Sequence, residues 1–168
     1  MSGTLGEHRI LFVCMGNICR SPTAEVVFRT RAERAGLGDR VTVASAGTGD
    51  WHVGMPPDPR AIAHAAKRGY DLAALRARQV VADDFERFDW ILAMDQVNLR
   101  DLRALRPPSF AGRLGLFLDF VPHLGLRDVP DPYYGAALHF ERVLDLVERA
   151  SDGLILQLFP SGALRAPT

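Results

Sequence analysis

Val13-Cys14-Met15-Gly16-Asn17-Ile18-Cys19-Arg20-Ser21-Pro22 joins two stretches of opposite character, and that junction decides the fold. Before it, Ile10-Leu11-Phe12-Val13 is short and continuously apolar, the pattern of a central parallel strand covered on both faces. After it, Ser21 suits an N-cap, Pro22 the first helical position and Gly36 a C-terminal exit, which predicts a helix from Pro22 to Ala35. Ala24, Val27, Phe28 and Ala32 then share its buried face. A buried strand that turns through a tight loop into a helix N-terminus opens an α/β unit.

The rest of the chain repeats the alternation. Strands are expected at Val41 to Ala44, Trp90 to Ala93 and Leu114 to Phe117. Helices are expected at Arg60 to Arg68, Gln96 to Leu105 and Leu138 to Phe159. Leu99, Leu102 and Leu105 should point inward on the second of these. Val143, Leu144, Val147, Ile155 and Leu158 form the apolar side of the last helix, with Gly153 a weak point or break in it. The order predicts an α/β fold: a single three-layer domain over residues 1–168, with a four-stranded parallel sheet and helices on both faces. In such sheets ligands bind beyond the carboxyl ends of the strands, where Cys14 falls.

Composition narrows the function. A chain of 168 residues that is 48% hydrophobic can bury a core without disulfide or metal staples. Its 20 basic and 20 acidic residues cancel, so it lacks the broad basic field of a nucleic-acid binder. Residues 1–9 are polar and the apolar run after them is too short for a signal segment or a membrane span, so a cytoplasmic protein is expected; a monomer is the separate default expectation. In that compartment Cys14 and Cys19 rest as thiols, and their reactivity becomes the question. The histidines are scattered without metal-ligand spacing, so none is given a catalytic role.

A Cys-x5-Arg spacing alone recurs by chance too readily to carry weight; its setting carries more. A loop between a strand and a helix N-terminus can turn successive backbone N–H groups inward, and the helix dipole adds positive potential there. The loop at 14–21 therefore reads as an oxyanion site, with Met15, Gly16, Asn17, Ile18, Cys19 and Arg20 binding phosphate. The same field favours the thiolate of Cys14. Gly16 permits close approach, Asn17 tolerates a left-handed backbone, and Arg20 offers a planar fork to two phosphate oxygens.

A leaving oxygen needs a proton. Asp131, held between Pro130 and Pro132 in the loop at 129–135, is the candidate general acid. Trp51, Tyr133 and Tyr134 are candidate walls of a slot for a flat aromatic ring. Plainer readings exist beside these: Cys14 as a structural thiol, Arg20 as a surface ion pair, Asp131 as a helix cap, and the aromatics as ordinary packing.

Taken in order along the chain, these segments resemble the low-molecular-weight protein tyrosine phosphatases. The catalytic loop Val13 to Pro22 matches, as do Ser45-Ala46-Gly47-Thr48, Trp51-His52-Val53-Gly54, Ala77-Arg78-Gln79, Asp84-Phe85, Phe88-Asp89, the stretch from Met94-Asp95 to Leu99, and Asp131 to Gly135. The resemblance implies hydrolysis of phosphotyrosine in protein substrates, and of small aryl phosphates, through a phosphocysteine on Cys14. Asp131 acts as acid and then as base, and no metal or organic cofactor is implied. It assigns Arg20 to phosphate, Ser21 to a hydrogen bond on Cys14, Asn17, Ser45 and Asp95 to support, and Cys19 to reversible pairing with Cys14 under oxidation. Many relatives carry a histidine in contact with the supporting network where this chain has Leu75. A thiol-dependent arsenate reductase would need further cysteines, and none follows Cys19. A protein-arginine phosphatase tends to carry Thr at the position of Ile18. A non-catalytic phosphate-binding module is the remaining alternative.

Overall fold

The computed structural model describes residues 7–160. The stretch that opens the fold is β1 (His8–Cys14), which passes through the loop at 15–19 into α1 (Arg20–Arg34). β2 (Val41–Gly47), α2 (Pro59–Lys67), α3 (Asp84–Arg87), β3 (Trp90–Ala93), α4 (Gln96–Leu105), β4 (Arg113–Leu116) and α5 (Ala137–Leu158) follow. All strand pairs are parallel and the order across the sheet is β2-β1-β3-β4. The chain therefore leaves β2 on one side of β1 and returns as β3 on the other. That reversal opens a crevice at the carboxyl ends of β1 and β3, where loops diverge to opposite faces.

β1 explains why the sheet is covered twice. Ile10, Phe12 and Cys14 face the core shared with α1, α2 and α5, while Leu11 and Val13 face that shared with α3 and α4. Phe12 lies between the rings of Phe28 and Phe117, at centroid distances of 5.8 and 4.8 Å. Each large side chain buried this way contributes roughly 1.5–3 kcal/mol. The three-layer expectation holds, and α4 keeps its expected bounds.

Several boundaries differ for physical reasons. α1 begins at Arg20 rather than Pro22, and Ser21 is not its cap: the hydroxyl turns back toward Cys14 and the Ala46 carbonyl. β2 continues past Ala44 to Gly47 because its last residues pair with the end of β1. β4 and α5 each sit one residue earlier than expected. Leu105 is exposed in the last turn of α4, while Leu99 and Leu102 are buried. Gly153 does not break α5. A Cβ there would come within 2.3 Å of the Phe120 carbonyl oxygen, so glycine lets the segment after β4 pack against the helix. The single turn of α3 is too short to show a helical period in sequence.

Candidate active site

The loop at 15–19 wraps its backbone around the Cys14 sulfur. Cys14 is buried yet forms part of the floor of a cleft of about 390 Å³. Its Sγ takes the Asn17 backbone N–H at 3.3 Å and lies 3.0 Å from the Ser21 hydroxyl. Met15, Gly16, Ile18 and Cys19 also line the cleft. Among the described residues their backbone N–H groups find no acceptor inside the protein. Unpaired donors beside a helix N-terminus form a site for an oxyanion.

Asn17 holds this shape. It has a left-handed backbone, with φ of 57°, and its side chain uses three hydrogen bonds. Nδ2 donates to the Ser21 hydroxyl at 2.8 Å and the Ser45 hydroxyl at 3.0 Å, and Oδ1 accepts the Arg78 N–H at 3.0 Å. Ser21 Oγ accepts from Asn17, so its one proton is shared between the Ala46 carbonyl at 3.3 Å and the Cys14 sulfur at 3.0 Å, and turned to the sulfur it favours the anion. Ser45 donates onward to the buried Glu25 at 2.7 Å, and Arg29 closes the chain on Glu25 and the Val43 carbonyl. Leu75 stands outside this network and packs on the apolar core. The ion pair of Glu25 with Arg29, rather than a histidine at position 75, neutralises the far end of the support. Gly47 is a further requirement, since a Cβ there would lie 2.6 Å from the Met15 carbonyl oxygen and 3.1 Å from the Asn17 nitrogen.

Asn17→Ala removes these bonds and leaves alanine in a conformation that costs L-residues about 1–2 kcal/mol. With the orphaned partners, the loss is expected to be about 2–4 kcal/mol. A chain of this size should then melt roughly 5–15 °C lower. Asn17→Gly relieves only the backbone part, so it should recover some of the drop. Calorimetry checks this, and an unchanged melting temperature for Asn17→Ala would remove the network from the stability account.

Arg20 is 2% exposed. Its Nη1 donates to Asp95 at 2.6 Å and to the Val129 carbonyl at 3.0 Å, while Nη2 lies 3.6 Å from Asp131. Burial opposes its charge, but the Cys14 sulfur, Asp95 and Asp131 outweigh it, and Arg20 is held above the usual arginine range. Asp95 also caps α4 by accepting the Asn98 N–H at 2.8 Å. Val129 is pinned at both ends, its N–H on the Met94 carbonyl at 2.7 Å and its carbonyl on Arg20. Asp131 does not cap α5, which starts at Ala137. Its Oδ1 accepts the Tyr133 N–H at 3.1 Å and its Oδ2 faces Arg20 and the cleft.

Trp51, His52, Tyr133 and Tyr134 wall the mouth. The rings of Tyr133 and Tyr134 meet edge-on with centroids 4.9 Å apart. Tyr134 is 96% exposed and Trp51 is also largely open, so neither is ordinary core packing. Cys19 is the second sulfur at the cleft; burial first, then the charges of Asp58, Cys14 and Asp131, push its thiol up. It stays protonated, which leaves Cys14 as the sulfur in reach of anion-stabilising donors.

The structure thus gathers Cys14 to Arg20, Trp51, Asp131, Tyr133 and Tyr134 around one cleft, with Ser21, Ser45 and Asp95 behind it. Asn17 serves from behind through its side chain, touching the sulfur through its backbone. Glu25, Asp58 and Arg60 are neighbours that sequence reasoning left out, while Gly47 and His52 entered it only inside matched segments and without a role. Of these, only Asp58-Pro59 carried a local signal, that of a cap followed by a first-turn proline.

Residues 9–162 match the family described as low molecular weight phosphotyrosine protein phosphatase. A low molecular weight protein-tyrosine-phosphatase of Streptomyces coelicolor is 49% identical over 151 residues, which span 88% of this chain and 92% of the relative. Among solved structures, a protein tyrosine phosphatase of Entamoeba histolytica with Hepes in its active site matches with a TM-score of 0.87 and 38% identity, covering 91% of this chain and 97% of that one. An arginine phosphatase of Drosophila matches with a TM-score of 0.83 and 30% identity, covering 90% and 98%.

Proposed function

The chain belongs to the low-molecular-weight phosphotyrosine protein phosphatase family, and on that premise we propose that Cys14, Arg20 and Asp131 carry its hydrolysis of phosphotyrosine. The observation that supports this most is the convergence on one cleft of a sulfur held by two donors, a buried guanidinium and a carboxyl on a separate loop.

The phosphoryl oxygens occupy the backbone donors of residues 15–19 and the free edge of the Arg20 fork. Cys14 Sγ attacks phosphorus in line. As the P–O bond to the tyrosyl oxygen breaks, Asp131 gives that oxygen its proton, leaving a phosphocysteine and free phenol. Asp131, now a carboxylate, takes a proton from water as it attacks phosphorus. The S–P bond breaks, phosphate leaves and the Cys14 thiolate returns. Positioning and charge stabilisation supply most of the rate in such transfers.

The substrates are phosphoproteins. Trp51, Tyr133 and Tyr134 suit a flat phenyl ester, and Ile18 adds an apolar surface in the same cleft. A phosphoarginine peptide, the substrate class of the Drosophila relative by its name, should be turned over with a lower kcat/KM than a phosphotyrosine peptide. The protein acts as a single catalytic domain, a monomer in the cytoplasm. Among the described residues no helix is long and apolar enough to cross a membrane.

Asp131→Asn tests the acid. Proton donation typically contributes about 10²- to 10⁴-fold, so kcat/KM on a phosphotyrosine peptide should fall about 100-fold or more. On 2,4-dinitrophenyl phosphate, whose leaving group needs no proton, the fall should stay within about tenfold. A full rate on phosphotyrosine would remove Asp131 from the mechanism.

A further inference from the structure

The start of α2 ties the two halves of the site together. The Asp58 backbone N–H donates to the Ile18 carbonyl of the phosphate loop at 2.8 Å. The buried Asp58 carboxylate receives Arg60 in three ways: the backbone N–H at 2.8 Å, Nε at 3.0 Å and Nη2 at 2.8 Å. These bonds hold the Asp58 carboxyl below the usual carboxylate range, so the pair is charged at neutral pH. Arg60 then reaches across to the other loop, where Nη2 donates to the Tyr133 carbonyl at 2.8 Å and Nη1 to the Gly135 carbonyl at 3.5 Å. Its guanidinium also sits 5.7 Å from the centre of the Tyr133 ring and 4.7 Å from that of Phe140.

Tyr133 is the decisive link. Its N–H orients Asp131 through Oδ1, and its carbonyl is held by Arg60. One residue therefore fixes the Asp131 side chain on one side and the α2 terminus on the other. Arg60 itself is not among the residues that line the cleft. We propose that Arg60, seated on Asp58, is a positioning residue that registers the general-acid loop against the phosphate loop and so places Asp131 over the leaving oxygen. A planar fork is needed for this, because one side chain must meet a carboxylate and two carbonyls at once. Lysine can satisfy only part of that set.

The inference rests on Asp131 being the acid, and the experiment separates the two. Arg60→Met, Asp131→Asn and the double variant are compared by kcat/KM on phenyl phosphate and 2,4-dinitrophenyl phosphate, with vanadate inhibition measured alongside. Arg60→Met should lose about tenfold or more on phenyl phosphate and less than about threefold on the dinitrophenyl ester, with vanadate affinity unchanged. The double variant should be no slower than Asp131→Asn alone, because a misplaced acid that is already absent costs nothing further. Arg60→Lys should recover part of the loss. Equal losses on both esters, weakened vanadate binding, or losses that multiply in the double variant would reduce Arg60 to general scaffolding and overturn the proposal. If Asp131→Asn keeps its full rate on phenyl phosphate, the acid assignment falls first, and the Arg60 proposal with it. Should Arg60→Met fail to fold, Asp58→Asn, which keeps the helix cap and weakens the seat of Arg60, must show the same leaving-group selectivity at smaller amplitude. A non-selective loss there overturns the proposal equally.

Discussion

Cys14→Ser should abolish turnover of p-nitrophenyl phosphate, with a loss of about 10⁴-fold or more. The sulfur anion is stabilised by the Asn17 N–H and the Ser21 hydroxyl, on a loop whose remaining donors await phosphate. A thiolate held there attacks phosphorus directly. A serine hydroxyl keeps its proton, and in the proposed mechanism the carboxyl at the cleft, Asp131, serves the leaving group on the far side of the phosphoryl unit. The oxygen is smaller than sulfur and leaves the surrounding bonds intact, so folding should survive and a phosphotyrosine peptide should still bind, as calorimetry can show. That combination excludes the non-catalytic reading. Equal, near-zero rates for the wild type and Cys14→Ser would sink the enzyme reading instead.

How much of this was legible in the sequence depends on distance along the chain. The β1 to α1 junction was readable because strand, loop and helix are contiguous and each carries its own signal. The position of Cys14 at a sheet edge followed from topology alone. The helix cap assigned to Ser21 failed because its hydroxyl had two uses, and the pull of Cys14 and Ala46 outweighed the local preference for a cap. Asp95 was placed in support, but its direct grip on Arg20 spans 75 positions and no local pattern could announce it. Nothing local marks Glu25 on α1; only β2 brings Ser45 against it. Arg60 was hidden likewise, since its partners on the acid loop lie 73 and 75 positions away. The family resemblance supplied roles for the matched motifs. The particular closure of the support by Arg29, with Leu75 outside it, needed coordinates.

Arg20→Lys is the second substitution with a large expected effect, and it tests whether shape or charge does the work. Nη1 is already occupied by Asp95 and the Val129 carbonyl, so the rest of the guanidinium must serve the phosphoryl oxygens. An ammonium is a single point. Drawn to Asp95 it abandons the phosphate, and drawn to the phosphate it strands Asp95 and the Val129 carbonyl. Losing one well-placed donor to a transition-state charge costs about 3–4 kcal/mol, so kcat/KM should fall about 10²- to 10³-fold although the charge is conserved. Retention of activity within about tenfold would show that charge alone suffices. Asp95→Asn provides the complementary reading. Asparagine can still cap α4 through the Asn98 N–H, so the melting temperature should move little, while an Arg20 freed of its anchor should bind the transition state less well. A fall in activity without a matching fall in stability would place the function of Asp95 in aiming Arg20, which follows from its use of one oxygen for the helix and the other for the arginine.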